Sequence, residues 1–272
     1  MSLQTAIAAA HSVPATHAEA AFGRLHADIL RGALKPGDRM HIGRLQKAYR
    51  VGATPLREAL SKLTSLDLVT SQGQRGFRVA PVSIENLIDV TRIRATLEIA
   101  ALRLALTSGD RDWEAAIIAA EHRLRGCPKL EEKTIAEQWY VCNRAFHDAL
   151  VAAATSPQLM AFRSKIHDFS DRYQRLAGQA GFPGRDIDAE HAAIMQYALK
   201  RDVDRTAALI VEHFVTTAHD ILSRNISNPK EARRTADELR DTIYVAAGLK
   251  RNGSFIRTRA RKKRVRLKTR TA

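Results

Sequence analysis

Asn143 and His147 stand four residues apart in a stretch with a helical apolar period. Both side chains therefore leave one face of one helix. His191 and His213 occupy two later amphipathic stretches. Three imidazoles and an amide oxygen meeting inside a bundle would hold a divalent ion and leave coordination positions open. Spacing alone does not decide this, because isolated helical histidines commonly serve as plain core or surface residues. His219, six residues after His213, falls off that face. Arg94 lies four residues before Glu98, on or beside the buried side of a long helical pattern. A buried guanidinium needs an anionic partner. Glu98 is one candidate, and the carboxylate of a bound ligand is the other.

A different chemistry is written between Gly32 and Val79. Two helix-period stretches, about Ile42–Tyr49 and Ala53–Ser65, are joined by the short turn Val51-Gly52. Pro55 fits the first turn of the second, where a missing N–H costs nothing. In a helix-turn-helix the start of the second helix enters the major groove. That assigns Thr54 and Arg57 to DNA, with Arg57 able to make a bidentate contact to guanine or clamp a phosphate. Leu56, Ala59, Leu60 and Leu63 form the packing side. Arg75 and Arg78 flank Gly76 in a basic hairpin, Gln74–Val79, that reads as a two-stranded wing able to approach phosphates or the minor groove. Arg39 and Arg44 are further candidates, each equally readable as a solvated charge.

The elements that must position these groups are mostly helices. A first helix runs from about Thr16 to Arg31, and Gly32 is placed to stop it. Ser83 is an N-cap for a helix over about Ile84–Thr107, with Leu87, Ile88, Leu97, Ala101 and Leu104 as its apolar positions. Further helices are expected over Asp110–Arg125, Thr134–Ala154, Gln158–Leu176, Asp186–Leu199, Val203–Ser227 and 230–247. No strand pattern appears after the wing. The chain thus reads as mostly α: a winged helix-turn-helix of three helices and a two-stranded wing (18–82), then an all-helical antiparallel bundle (83–227). A disordered N-terminus (1–17) and a basic extension (228–272) flank them.

The formal net charge of +15 is uneven. Residues 18–82 carry 11 Lys/Arg against 5 Asp/Glu, residues 83–249 carry 22 against 24, and residues 250–272 carry 11 against none. Basic ends suit a polyanion such as DNA. No apolar run approaches the roughly 18 residues that span a bilayer, and no Lys or Arg precedes Arg24, so a secretory signal is not expected. Two cysteines without CxxC spacing point to a reducing cytoplasm and no disulfide.

The spaced elements Leu34-x-Pro36-Gly37, Thr54-Pro55-Leu56-Arg57-Glu58-Ala59-Leu60-x-x-Leu63, Leu68-Val69 and Arg75-Gly76-Phe77-x-Val79 resemble the winged helix of the GntR family of bacterial transcription regulators. The chain has Gly52-Ala53 where that family usually has Ser-Arg, which removes a capping hydroxyl and one base-reading arginine. Arg94-x-x-x-Glu98, Asn143-x-x-Phe146-His147, Glu190-His191-x-x-Ile194 and Glu212-His213 resemble the FCD ligand-binding domain of FadR-type members. The resemblance implies a metal ion held by Asn143, His147, His191 and His213, a small carboxylate effector that meets the metal and Arg94, a homodimer, and a pseudo-palindromic operator. A repressor is the expected sense of control. Asn143 replaces the family's usual Asp, so weaker metal affinity is expected, with zinc, nickel and manganese all suitable. The short Gly52-to-Pro55 turn and Gln74-x-Gly76-x-Arg78-Val79-Ala80 are most similar to a branch that includes a carbon-starvation-induced, glutarate-responsive repressor. The alternative is a metal-dependent enzyme fused to a DNA-binding head, since three histidines around a metal can acidify bound water. Against it, Glu190 and Glu212 each adjoin a histidine in sequence and so point to another face, leaving no evident general base.

Overall fold

The computed structural model describes residues 16–73, 76–127, 133–177 and 184–249. Helix α1 (His17–Leu30) starts at a capping box: the Thr16 hydroxyl accepts from the Glu19 N–H, and the Glu19 carboxylate accepts from the Thr16 N–H. Strand β1 (Arg39–Met40), helices α2 (Ile42–Tyr49) and α3 (Ala53–Ser65), and strands β2 (Val69–Ser71) and β3 (Phe77–Val79) complete the first domain. Leu25, Ile29, Leu56, Leu60 and Leu63 are fully buried at its centre, which puts the packing side of α3 inward and leaves Thr54 and Arg57 outside.

The sheet contains the expected two-stranded wing, β2 with β3, and adds β1 to it. It has three antiparallel strands in the order β1-β3-β2, with Arg39 opposite Arg78 and Val69 opposite Val79. A two-residue strand is too short to show a period of two, so β1 left no trace in the pattern.

The second domain holds α4 (Ile84–Ser108), α5 (Arg111–Arg125), α6 (Lys133–Val151), α7 (Pro157–Ala177), α8 (Ile187–Leu199), α9 (Val203–Asn225) and α10 (Pro229–Ala247). Ser83, Asp110, Asp186, Asp202 and Asn228 each accept a hydrogen bond from a first-turn amide, which satisfies donors that lack an intrahelical partner. Helix α4 packs against α6, α7, α9 and α10. Its buried face runs through Leu87, Val90, Ile99, Leu102 and Leu106. Leu104, expected on that face, is 37% exposed. Helix α10 also departs from expectation. The sequence placed residues 228–247 in the extension, yet α10 packs on α9 and α4, and Arg240 and Tyr244 both bond Glu212. The N-terminus expected to be disordered (1–17) is shorter than that at its inner end, because Thr16 caps α1 and His17 begins it; residues 1–15 and the basic block 250–272 lie outside the described residues. No helix among those described is long and apolar enough to cross a membrane.

Helix α7 ties the two domains together. Its Lys165 pairs with Asp67 at 2.9 Å, its Asp168 meets His26 of α1 at 3.2 Å, and Arg172 donates to the Ala80 carbonyl. Phe169 packs against the apolar core of the first domain. Toward the bundle, Arg163 of α7 grips Glu98 of α4 with Nε–Oε2 at 2.8 Å and Nη2–Oε1 at 3.0 Å. The same guanidinium donates to the His147 carbonyl and to Asp148. Both members of the Glu98–Arg163 pair are buried. Removing one member of such a pair strands the other charge out of water. Glu98→Ala is therefore expected to destabilise the fold by about 3–5 kcal/mol, read as a lower urea midpoint. An unchanged midpoint would show that the pair contributes nothing net.

Candidate metal centre and nucleic-acid interface

Three helices deliver the histidines. His147 from α6, His191 from α8 and His213 from α9 are buried, and each offers a ligand atom within 4.8 Å of the others. Ring centroids lie 4.7 Å apart for His191 and His213, 5.3 Å for His147 and His213, and 5.5 Å for His147 and His191. Phe146 and Phe214 pack against this cluster. Among the described residues, Asn143 Oδ1 and both ring nitrogens of His147 and His191 find no hydrogen-bond partner. Buried polar atoms are nearly always satisfied, so this cluster of orphaned donor atoms fits a divalent metal ion. Burial pushes His147 and His191 well below the ordinary imidazole range, with neighbouring positive charge adding to the effect. The neutral rings keep the lone pairs that a metal requires.

His213 is held differently. Its Nδ1 lies 2.7 Å from Glu190 Oε2. A carboxylate accepts, so Nδ1 carries the proton and Nε2 keeps its lone pair. Arg185 locks Glu190 as well, with Nε–Oε1 at 2.7 Å and Nη2–Oε2 at 2.6 Å. Burial opposes the charge on Glu190, but the hydrogen bonds from Arg185 and His213 outweigh it and hold the carboxyl at about 2. Such outer partners fix the tautomer and orientation of a ligating imidazole. Glu190 does point away from His191 on its own helix. It serves the histidine of the next one.

Arg94 enters the centre from α4. Its guanidinium carbon sits 4.0 Å from the Phe214 ring centroid, and Nη1 donates to Ser170 Oγ at 2.6 Å. Its Nε and Nη2 are unpartnered among the described residues. The sequence offered Glu98 as its partner, but Glu98 is taken by Arg163. Burial pushes Arg94 down to about 10, with Glu98 acting in the opposite direction, so it remains a cation at neutral pH. His167 of α7 is buried in the same region, its ring 6.3 Å from that of His147 and its Nδ1 unpartnered. Sequence reading missed His167, Arg163 and Arg185. The first two had a signal: Arg163, His167, Ser170 and Gln174 recur at helical spacing and mark a polar stripe along α7. Arg185 had none. His219 lies apart, beside Asp220 and Ser223.

At the other end of the molecule, Thr54 and Arg57 are exposed at the start of α3, and Arg39 and Arg44 are exposed nearby. Gly52 caps α3 without a side-chain hydrogen bond, as its lack of a hydroxyl requires. Gly76 adopts φ 87° in the hairpin between β2 and β3, a conformation that glycine reaches freely. Arg78, which the sequence reading gave to DNA, is half-buried and donates to the Gly37 carbonyl, a bond that braces the sheet. Arg75 lies outside the described residues.

Comparison with known proteins agrees with this division of labour. Residues 17–79 match the model of the bacterial regulatory proteins of the gntR family, and residues 89–216 match the FCD domain. The regulator BphR of Paraburkholderia xenovorans is 39% identical over 201 residues, covering 72% of this chain and 81% of that protein. The repressor GlaR of Escherichia coli is 33% identical over 196 residues, covering 70% and 88%. The solved structure of E. coli McbR/YncC superposes with a TM-score of 0.67 at 21% identity, covering 77% of this chain and 99% of that one. The chain belongs to the GntR family: it is a transcription regulator with an N-terminal DNA-binding helix-turn-helix and a C-terminal FCD domain.

Proposed function

We propose that this regulator is a homodimeric repressor whose operator affinity is set by a small carboxylate bound at a metal site in the helical domain. The observation that carries the reading is the convergence of His147, His191, His213 and the orphaned Asn143 oxygen beside an Arg94 guanidinium with two unused nitrogens. The four donors would hold a divalent ion. Three imidazoles and an amide oxygen suit zinc, nickel or manganese. The bound ion supplies a Lewis-acidic anchor for a carboxylate. Arg94 supplies a second, with N–H groups able to take a carboxylate oxygen and Ser170 fixing its orientation. Phe146 and Phe214 keep water from the centre. The repressor sense is supported by the name of the E. coli relative. Two-fold symmetry of a dimer calls for an operator of matching pseudo-symmetry.

Control requires that the ligand favour one placement of the DNA-binding heads over another. Helix α7 is the element placed to sense it. His167 faces the buried centre, and the next residue, Asp168, bonds His26 of the DNA-binding domain. Asp168 also pairs with Arg144, which follows Asn143 on α6. A shift of α6 or α7 on ligand binding therefore acts directly on α1.

Carboxylates are expected to raise the melting temperature of the wild type, and chelation or His147→Ala should abolish that shift while operator binding survives. Effector-driven release from DNA that persists in His147→Ala would sink the metal-site reading. Arg57→Ala should weaken operator binding by about 1–3 kcal/mol in fluorescence anisotropy and leave the ligand-induced thermal shift intact; full operator affinity would remove Arg57 from the interface. Asp168→Asn should keep metal and carboxylate binding but reduce the change in operator affinity that the carboxylate causes. An undiminished change would exclude this route.

A further inference from the structure

Cys127 and Cys142 take no part in the site described above. Cys127 follows α5 and is buried, while Cys142 lies on α6 and is partly exposed. Fifteen positions separate them in sequence, yet their Sγ atoms stand 2.7 Å apart. Closing that gap to the ~2.05 Å of a disulfide takes less than an ångström of movement. Both are free thiols here. Cys142 adjoins Asn143 and lies five residues before His147.

We propose that Cys127 and Cys142 form a reversible disulfide site, oxidised by hydroperoxides, whose closure staples the end of α5 to the part of α6 that carries Asn143 and His147. Cys142, the more exposed sulfur, meets the oxidant first. The Cys142 sulfur attacks the peroxide oxygen that carries hydrogen, the O–O bond breaks, and the other oxygen leaves with the Cys142 thiol proton as water or an alcohol. Cys142 is then a sulfenic acid. The Cys127 sulfur attacks the Cys142 sulfur, the S–O bond breaks, and the hydroxide takes the Cys127 proton to leave as water. Two thiols and one hydroperoxide thus give one disulfide, with two electrons passed to the peroxide. A small thiol reverses the step by exchange. The bond would close a loop between residues 127 and 142 and restrict the chain on both sides of it.

The test treats the reduced full-length protein with hydrogen peroxide and needs no metal. Expected are the loss of both thiols, a mass lower by two hydrogens, one peptide cross-link joining Cys127 to Cys142, and full recovery with dithiothreitol. Amide hydrogen exchange along residues 139–147 should slow in the oxidised protein. Cys127→Ser should form no cross-link and show no slowing. Survival of both thiols in the wild type, oxidation that stops at sulfenic acid, or a cross-link that leaves the exchange of α6 unchanged would each overturn the proposal. The thiol count is made on wild-type protein, so it stands whether or not the variant folds.

Discussion

The bidentate pair between Glu98 and Arg163 is the interaction on which the helical domain depends. It fastens α4 to α7 where both side chains are buried, and the same guanidinium holds the backbone of α6 at His147. Three of the helices that surround the site are thus fixed by one cation. The pair also decides the chemistry of Arg94. Both Glu98 oxygens go to Arg163, so among the described residues Arg94 makes no hydrogen bond to a carboxylate and stays a buried cation with unused N–H groups. A structural salt bridge to Glu98 thereby leaves the guanidinium one turn earlier, on the same face of α4, with N–H groups to offer an anion.

What the sequence disclosed followed from local rules. The helices, their caps and the exposed face of α3 are set within a few residues of chain, and they emerged close to where the pattern put them. Asn143 and His147 could be paired because one helical turn separates them. Which residue completes Arg94, Arg163 or His213 depends instead on which helices become neighbours, and periodicity holds no such information. Glu98 illustrates the limit: its spacing from Arg94 was right for an intrahelical pair, but a better-placed guanidinium arrives from α7. Likewise Glu190 turns away from the histidine beside it and reaches one contributed by α9. Strand β1 escaped notice because its two residues form a strand only when β3 lies alongside.

Helix α7 joins the concerns of both domains. One stripe faces the buried centre through Arg163, His167 and Ser170, while Lys165, Asp168, Phe169 and Arg172 reach the DNA-binding domain. Neighbouring residues on a rigid helix cannot move independently. Any rearrangement that the centre imposes on α7 is felt at once by α1, by the loop before β2 and by the segment after β3.

The bond from Arg78 to the Gly37 carbonyl has a meaning beyond the sheet it braces. Strand β3 lies between two partners, and Arg78 fastens it to the turn ahead of β1. The base of the hairpin is therefore rigid before any nucleic acid arrives. Conformational freedom that a slack hairpin would surrender at each encounter has already been given up in folding.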